Sequence, residues 1–389
     1  MTKRNQSFEA FSAGYLFPEI RRRVEAFVKE HEKVELISLG IGDTTHPLTP
    51  HVVKGLEEAA HRMGDRGGYS GYGHERGEKG LRTKISERIY HGKIHPDEIY
   101  ISDGCKCDLG RWQALFGGEV SIAVQDPAYP VYVDGSLLHG VKKIHYLPCD
   151  KENHFFPQLN GMPHVDLIYF CSPNNPTGAV ATHAMLEELV EVAKQQHAIL
   201  LFDAAYAEFI QDPTLPKSIY EIPGARSVAI ELNSFSKLAG FTGMRLGWSV
   251  VPHELKYECG ASVAKDWDRV ISTIFNGASN IIQRGGEAVL DEKGWTETKQ
   301  VISYYLNNAA LLKRCFEKEG LKVYGGVNAP YLWVHFPGRK SWDVFEEFLK
   351  RYQLITTPGA GFGPAGEEYI RISAFNHLSE IEKAVQRIS

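Results

Sequence analysis

The sequence lacks the features that mark secreted, membrane and metal-binding proteins. Six cysteines among 389 residues are too few for a disulfide framework, and the polar opening MTKRNQS has no apolar stretch of the kind found in secretory signals. Reduced thiols in the cytoplasm are therefore expected. No apolar run approaches the roughly 18 residues that cross a bilayer, and the 16 histidines show no metal-binding spacing.

A large excess of charge is also absent. A formal net charge of -5 gives no reason to expect nucleic acid as a partner. Cys105 and Cys107 form a C-x-C pair that could bind a soft metal, but no second pair accompanies them, so no metal site is expected. With 43% hydrophobic and 23% charged residues, the composition is that of an ordinary globular protein.

Short apolar runs alternate with amphipathic stretches between about residues 80 and 255. These runs are mostly apolar on both faces, which is typical of a mostly parallel sheet covered by helices. The predicted strands are residues 98–102, 120–124, 143–147, 166–171, 198–202, 227–232 and 248–251. Helical periodicity is found at residues 183–195, between two of these strands. The sequence therefore predicts an α/β domain built around a parallel sheet.

The pattern changes after about residue 280. Long amphipathic helices, at about 300–318 and 341–352, mix with short strands such as 331–334 and 369–372. A chain of 389 residues is too long for one simple core. We expect residues 46–280 to form a large domain, and residues 1–45 together with 281–389 to form a smaller α+β domain.

Polar motifs follow five of the predicted strands. They are SDGCK at 102–106, DPAY at 126–129, SPNNPTG at 172–178, DAAY at 203–206 and SFSK at 234–237. In a parallel sheet, ligands bind beyond the carboxyl ends of the strands. We therefore expect these five loops to meet at one crevice.

Lys237 lies in the most informative of these motifs, within the run NSFSKLAGFTGMRLGW at 233–248. A lysine amine can form an imine with an aldehyde cofactor. Ser234, Ser236 and Arg245 are suited to hold a phosphate on that cofactor, with the arginine gripping two oxygens. The alternatives are a solvated surface lysine and an arginine in a surface ion pair. The pattern favours an enzyme that uses pyridoxal 5'-phosphate.

Other strand ends carry residues that suit the same cofactor. Asp203 ends an apolar strand and could pair with the protonated ring nitrogen, or it could simply cap the next turn. Asn175 and Tyr206 are suited to donate to the ring oxygen. Tyr129 could stack on the ring or be a buried loop aromatic.

Two further sites for anions are suggested by the sequence. The motif at 102–106 leads into a predicted helix at 108–115, whose start favours a phosphate, with Gly104 permitting close approach and Lys106 adding charge. Arg371 alternates with apolar residues on a strand, so it either faces solvent or binds an anion such as a substrate α-carboxylate. Backbone at Gly42 could approach that carboxylate.

Taken together, these motifs resemble those of the fold-type I aminotransferases, the superfamily of aspartate aminotransferase. Further matching runs are YLF at 15–17, GIGDTT at 40–45, GYG at 71–73, VQDPAY at 124–129 and FNGAS at 275–279. The resemblance covers nearly the whole chain. It implies a large domain with a mostly parallel seven-stranded sheet between helices, a smaller α+β domain, and a homodimer with shared active sites.

Position by position, the resemblance also implies roles for individual residues. Lys237 is the catalytic lysine. The implied cofactor-binding residues are Tyr72, Gly104, Cys105, Lys106, Tyr129, Asn175, Asp203, Tyr206, Ser234, Ser236, Lys237, Arg245 and Asn276. The implied substrate contacts are Tyr15, Gly42, Tyr72, Glu75, Lys106, Tyr129, Asn175, Asn276 and Arg371. Of these, Tyr72, Glu75 and Asn276 are expected to come from the neighbouring subunit, with Glu75 meeting an amino group at the far end of the substrate.

Several functions remain open on the sequence alone. The chain could be an aminotransferase that acts on aspartate, on alanine or on an aromatic amino acid. It could instead be a pyridoxal-phosphate lyase that cleaves cysteine conjugates. A cofactor-sensing transcription regulator is a third reading, but it would need a DNA-binding domain and a basic face, for which the chain has neither room nor charge.

Overall fold

The computed structural model describes residues 2–11, 16–40 and 42–389. In this part of the chain, none of the helices combines the length and the apolar character that a membrane span requires. The helices are α1 Leu16–Glu30, α2 Pro50–Met63, α3 Lys79–Arg88, α4 Cys105–Phe116, α5 Val131–Leu138, α6 His183–Gln196, α7 Phe235–Leu238, α8 Val263–Ile274, α9 Asn280–Leu290, α10 Glu292–Lys318, α11 Ser341–Glu347 and α12 Leu378–Ile388.

The strands fall into one large sheet and two small ones. They are β1 Ile37–Ser38, β2 Ile99–Ser102, β3 Ser121–Asp126, β4 Lys143–Pro148, β5 Leu167–Cys171, β6 Ile199–Asp203, β7 Ala229–Ser234, β8 Gly247–Val250, β9 Lys322–Gly325, β10 Tyr331–His335, β11 Leu354–Ile355, β12 Thr357–Pro358 and β13 Tyr369–Ser373.

The large sheet has seven strands in the order β2-β8-β7-β6-β5-β3-β4. Strand β8 pairs antiparallel with both of its neighbours, and the other pairs are parallel. All strands except the edge strand β4 are buried along their whole length, which explains their continuous apolar sequences. The predicted strands are confirmed, each within two residues of its observed ends.

Two helical layers cover this sheet. On one side, Trp112 of α4 and Trp267 of α8 stack with ring centroids 3.8 Å apart inside an apolar cluster. A second cluster contains Leu186 and Leu189 of α6 together with residues of β5 and β6. This arrangement confirms the predicted α/β architecture and leaves the ends of the strands free to carry a site.

The C-terminal part contains a four-stranded antiparallel sheet in the order β12-β13-β10-β9. Strand β1 pairs with β11, so the N-terminal segment joins this part of the molecule. The predicted helix at 300–318 is the end of the longer α10, and the one predicted at 341–352 continues past α11 as a π-helical turn to Tyr352. The proposed division into domains at residues 45/46 and 280/281 stays a prediction.

Candidate active site

A cavity of about 400 Å³ lies at the carboxyl ends of the central strands. All five polar motifs reach it or border it, because β2, β3, β5, β6 and β7 point towards the same edge of the sheet. The loop of residues 42–46, strand β10 and strand β13 close the other side. The predicted convergence on one crevice is thus observed in the fold.

Lys237 lies inside this cavity, on the single-turn helix α7 that follows β7. Ser234 caps that helix, its hydroxyl accepting a hydrogen bond from the backbone N–H of Ser236 at 3.0 Å. The Nζ atom of Lys237 donates to the carbonyl of Gly42. Burial lowers the pKa of Lys237 to about 8, although the nearby carboxylate of Asp43 opposes this shift. The amine is therefore both reachable and easily neutralised, as a nucleophile or base requires.

Asp203 occupies the end of β6 in the same cavity. Its Oδ1 accepts from the backbone N–H of Ala205 at 3.0 Å, and its Oδ2 accepts from the hydroxyl of Tyr132 at 2.8 Å. Burial raises the pKa of this carboxyl. Asp203 does cap the following turn, but among the described residues no cationic side chain pairs with it. A buried carboxylate facing a cavity in this way suits a cationic nitrogen on a ligand.

The start of α4 and Arg245 form an anion cradle. Gly104 precedes the helix with φ of 115°, and a Cβ at that position would lie 2.5 Å from Nη2 of Arg245. Nη1 of Arg245 donates to the hydroxyl of Ser236 at 3.3 Å and to the carbonyl of Thr242 at 3.1 Å. Within the described chain Arg245 has no ion-pair partner, so the alternative of a surface ion pair is not realised. The N–H groups of the helix start and the guanidinium suit a phosphate.

Arg371 offers a second positive group on the opposite wall. It is only 1% exposed, so it does not face solvent. Nη1 donates to Asn175 at 2.7 Å, Nη2 donates to the carbonyl of Gly40, and the ring of Tyr331 lies 4.4 Å away. No carboxylate in the described ranges pairs with it, and its Nε has no hydrogen-bond partner there. A buried cation in this state suits a carboxylate ligand.

Tyrosines line the remaining wall of the cavity. The hydroxyls of Tyr206 and Tyr331 lie 2.8 Å apart. The ring of Tyr129 stands edge-on to Tyr132, with centroids 5.9 Å apart. A Cβ on Gly42 would collide with the hydroxyl of Tyr331, which explains why glycine is needed there. Sequence reasoning missed Tyr132 and Tyr331, because nothing in their local sequence distinguishes them from core aromatics.

The structure brings together most of the predicted site residues. Those that line the cavity are Gly42, Cys105, Lys106, Tyr129, Asn175, Asp203, Tyr206, Ser234, Ser236, Lys237, Arg245 and Arg371. Gly104 lies against the guanidinium of Arg245, which lines the cavity. Tyr15 lies outside the described residues.

Three predicted residues are not part of this cavity. Tyr72 is 91% exposed, and Glu75 and Asn276 are also exposed. Their two segments adjoin one another, since the side chain of Asn280 donates to the carbonyl of Gly71 at 2.9 Å. These residues therefore share one surface of the molecule, outside the site of their own chain.

The chain is similar over nearly its whole length to known aminotransferases. The family model described as aminotransferase class I and II matches residues 34–388. A relative from Protochlamydia amoebophila, named LL-diaminopimelate aminotransferase, is 51% identical and covers 100% of this chain and 97% of its own. One from Arabidopsis thaliana, named LL-diaminopimelate aminotransferase, chloroplastic, is 49% identical over 99% of this chain and 86% of its own.

Among solved structures, the L,L-diaminopimelate aminotransferase from Chlamydomonas reinhardtii has a TM-score of 0.96 against this chain. It is 51% identical, and the match covers 99% of this chain and 98% of that one. The fold is therefore shared with this relative over nearly the whole chain.

Proposed function

The chain belongs to the class I and II aminotransferases, and we propose that within this family it transfers an amino group from glutamate to the open-chain keto form of tetrahydrodipicolinate. The products are LL-2,6-diaminopimelate and 2-oxoglutarate. The similarity to relatives named for this activity supports the choice of substrate, because it extends over the full chain at about half identity.

The observation that carries aminotransfer is the cavity itself. It gathers a neutralisable lysine, a buried carboxylate without a cationic partner among the described residues, an anion cradle and a buried arginine lacking a carboxylate there. These groups fit pyridoxal 5'-phosphate: Asp203 would hold the ring nitrogen, the start of α4 with Arg245 would hold the phosphate, and Lys237 would meet the aldehyde. The chemistry supplied by the bound cofactor is electron withdrawal from the substrate Cα and temporary storage of the amino group.

The residues of the chain supply proton transfer and orientation. With a pKa of about 8, Lys237 is half neutral near pH 8, whereas a free lysine with a pKa of about 10.4 would be almost fully charged. Neutral Nζ of Lys237 can therefore take the proton from the substrate Cα. Arg371 would orient the substrate through its α-carboxylate, so that the Cα–H bond faces this amine.

Arg371→Met is expected to lower kcat/KM for both amino substrates by about a hundredfold, chiefly by raising KM, because a buried charge-assisted pair is lost. Every substrate of the site carries an α-carboxylate, so the effect should not depend on the rest of the molecule. Arg371→Lys keeps the charge but loses the planar guanidinium that can bind both carboxylate oxygens. Its kcat/KM should lie between those of the parent and of Arg371→Met. Steady-state kinetics with glutamate and LL-diaminopimelate provide the check, and a parental kcat/KM in Arg371→Met would contradict the assignment.

The exposed surface that carries Tyr72, Glu75 and Asn276 supports a homodimer in which each chain completes the site of the other. The exposed rings of Tyr69 and Tyr72, together with Ile274, add apolar area to that surface. In this dimer, Glu75 would bind the second amino group of diaminopimelate, which glutamate lacks. The role of Glu75 therefore belongs to the substrate and not to the cofactor.

Glu75→Ala should raise KM for LL-diaminopimelate about tenfold and leave KM for glutamate unchanged, since a charge pair at an interface is lost. Co-expression of Glu75→Ala chains with Lys237→Ala chains should restore full affinity, because each mixed dimer then holds one intact site. The mixed dimer is compared with the two homodimers in the same assay. No recovery in the mixture would show that Glu75 does not act across the dimer.

The function as a whole is tested by a coupled assay that follows glutamate formation from LL-diaminopimelate and 2-oxoglutarate. The meso isomer serves as the stereochemical control, and aspartate, alanine and phenylalanine serve as competing donors. We expect LL-diaminopimelate to have the highest kcat/KM, with the parallel-line kinetics of a two-half reaction. A higher kcat/KM for one of the competing donors would overturn the proposed choice of substrate. Release of pyruvate and ammonia from a cysteine conjugate, without a keto acid, would show a lyase instead.

A further inference from the structure

The loop of residues 42–46 connects the N-terminal segment to the cavity. The carbonyl of Gly42 accepts a hydrogen bond from Nζ of Lys237, and Asp43 lines the same cavity. The hydroxyl of Thr44 lies 3.3 Å from the hydroxyl of Thr242. The backbone carbonyl of Thr242 accepts a hydrogen bond from Arg245 in the anion cradle. The loop thus contacts both the lysine and the cradle, so its position affects both.

Tyr305 holds this loop from behind the cavity. It lies on α10 and is 1% exposed. Its hydroxyl oxygen accepts two backbone hydrogen bonds, from Thr45 at 2.9 Å and from His46 at 2.7 Å. Its ring meets Phe375 edge-to-face at 4.8 Å, and Nζ of Lys237 lies 5.7 Å from the Phe375 ring. One side chain therefore supports the loop and the aromatic wall beside the lysine.

The hydroxyl of Tyr305 is the group that fixes the loop. Two successive N–H groups point at a single oxygen, which leaves the backbone little freedom to shift. Phenylalanine would keep the ring contacts and remove the acceptor. The two N–H groups would then find new partners only if the loop moves towards water.

The loop also decides which protonation state the lysine favours. The carbonyl of Gly42 and the carboxylate of Asp43 favour the ammonium form at Nζ, whereas burial, Arg371 and Arg245 favour the neutral amine. Asp203, Lys106, Tyr206 and Tyr331 line the same cavity, and burial raises the pKa of both of these tyrosines, which keeps them uncharged. The Gly42 carbonyl and the Asp43 carboxylate, which both favour the charge, are therefore carried by the loop that Tyr305 anchors.

We propose that Tyr305 is a positioning residue of the active site, whose hydroxyl fixes the loop of residues 42–46 so that Gly42 and Asp43 set the state of the Lys237 amine. The inference rests on the proposed function, in which that amine carries out the proton transfer. Tyr305 is not among the residues that line the cavity, and its hydroxyl acts on the site through the loop.

The experiment compares Tyr305→Phe with Tyr304→Phe in the cofactor-loaded enzyme. Tyr304 precedes Tyr305 on α10, and its hydroxyl likewise accepts a backbone N–H, that of Leu378 at the start of α12. The first measurement is the pH midpoint of the change in visible absorption, without substrate, which reports the gain or loss of a proton at Nζ of Lys237 where it is joined to the cofactor. The second is kcat/KM with LL-diaminopimelate.

In Tyr305→Phe, the absorption midpoint should fall by about half a pH unit or more, because the groups that favour a charge on Nζ are no longer held in place. Its kcat/KM should fall about tenfold as the lysine loses its alignment. Tyr304→Phe should change neither value. Equal changes in both variants, or an unmoved midpoint in Tyr305→Phe, would overturn the inference.

Asp43→Asn tests the same claim at an exposed position where folding is not at risk. It should also lower the midpoint, and an unchanged value would refute the proposal even if Tyr305→Phe failed to fold. Wild-type protein that binds the cofactor but does not use LL-diaminopimelate would refute only the proposed substrate and would leave the inference about Tyr305 standing. Wild-type protein that shows no cofactor absorption would refute both the function and the inference.

Discussion

Replacing Lys237 with alanine should lower kcat for transamination by at least about a thousandfold, since proton transfer by a positioned base is lost together with the nucleophile. The lysine lies on a capped turn, and its amine contacts only the carbonyl of Gly42 among the hydrogen-bond partners described. Its removal therefore leaves the surrounding structure in place. Thermal unfolding should change little, while turnover is lost.

The matched control for this variant is Lys54→Ala, which removes a solvent-exposed lysine on α2 and should retain full activity. A second control uses the space that alanine leaves in the cavity. Small primary amines added to Lys237→Ala should restore part of the lost rate, because they can enter the cavity and take the proton. Normal turnover in Lys237→Ala, with unchanged substrate binding, would contradict the role of Lys237 as the base and nucleophile of the reaction.

Asp203→Asn should lower kcat by about a hundredfold or more, because the charge that would hold a cationic ring nitrogen is removed from a buried position. Asparagine can still accept from the N–H of Ala205 and still meet the hydroxyl of Tyr132. The fold should therefore persist, and the anion cradle around Arg245 should still hold the cofactor. Single-turnover rates and cofactor content, measured on the same sample, separate slower chemistry from weaker binding.

Tyr132→Phe is the control for Asp203→Asn. It deletes one hydrogen bond to the same carboxylate and leaves the charge, so its loss of activity should stay near fivefold, in keeping with about 1 kcal/mol for a single hydrogen bond. A loss as large as that of Asp203→Asn would mean that orientation of the carboxylate matters more than its charge. An Asp203→Asn enzyme with parental kcat would contradict the role of Asp203.

The central sheet is visible in the sequence because all of its strands except β4 are buried along their whole length and therefore read as short, mostly apolar runs. Strand β6, for example, is the uninterrupted apolar run ILLF followed by Asp203. The residues that directly follow such strands lie at the ligand-binding edge, so the sequence alone is enough to place Asp203 and Lys237 in one crevice. Helix α11 is harder to delimit, since its amphipathic pattern continues through the π-helical turn that ends at Tyr352.

Other parts of the site depend on contacts between distant segments. Tyr132 meets Asp203 across 71 residues of sequence, and Tyr305 meets Thr45 across 260. No local pattern distinguishes these hydroxyls from those of ordinary buried tyrosines. The same holds for Arg371, whose strand pattern fits both a solvent-facing and an anion-binding side chain, and whose burial in the fold decides between them. Tertiary packing alone separates the two readings.

The most direct test is to supply the purified protein with pyridoxal 5'-phosphate, reduce it with borohydride and locate the modified residue by peptide mass analysis. The account predicts one cofactor bound irreversibly per chain, on the peptide that contains Lys237 and at its Nζ atom. Attachment to another lysine, such as Lys106, or the absence of any reducible adduct in a protein that remains colourless, would contradict it.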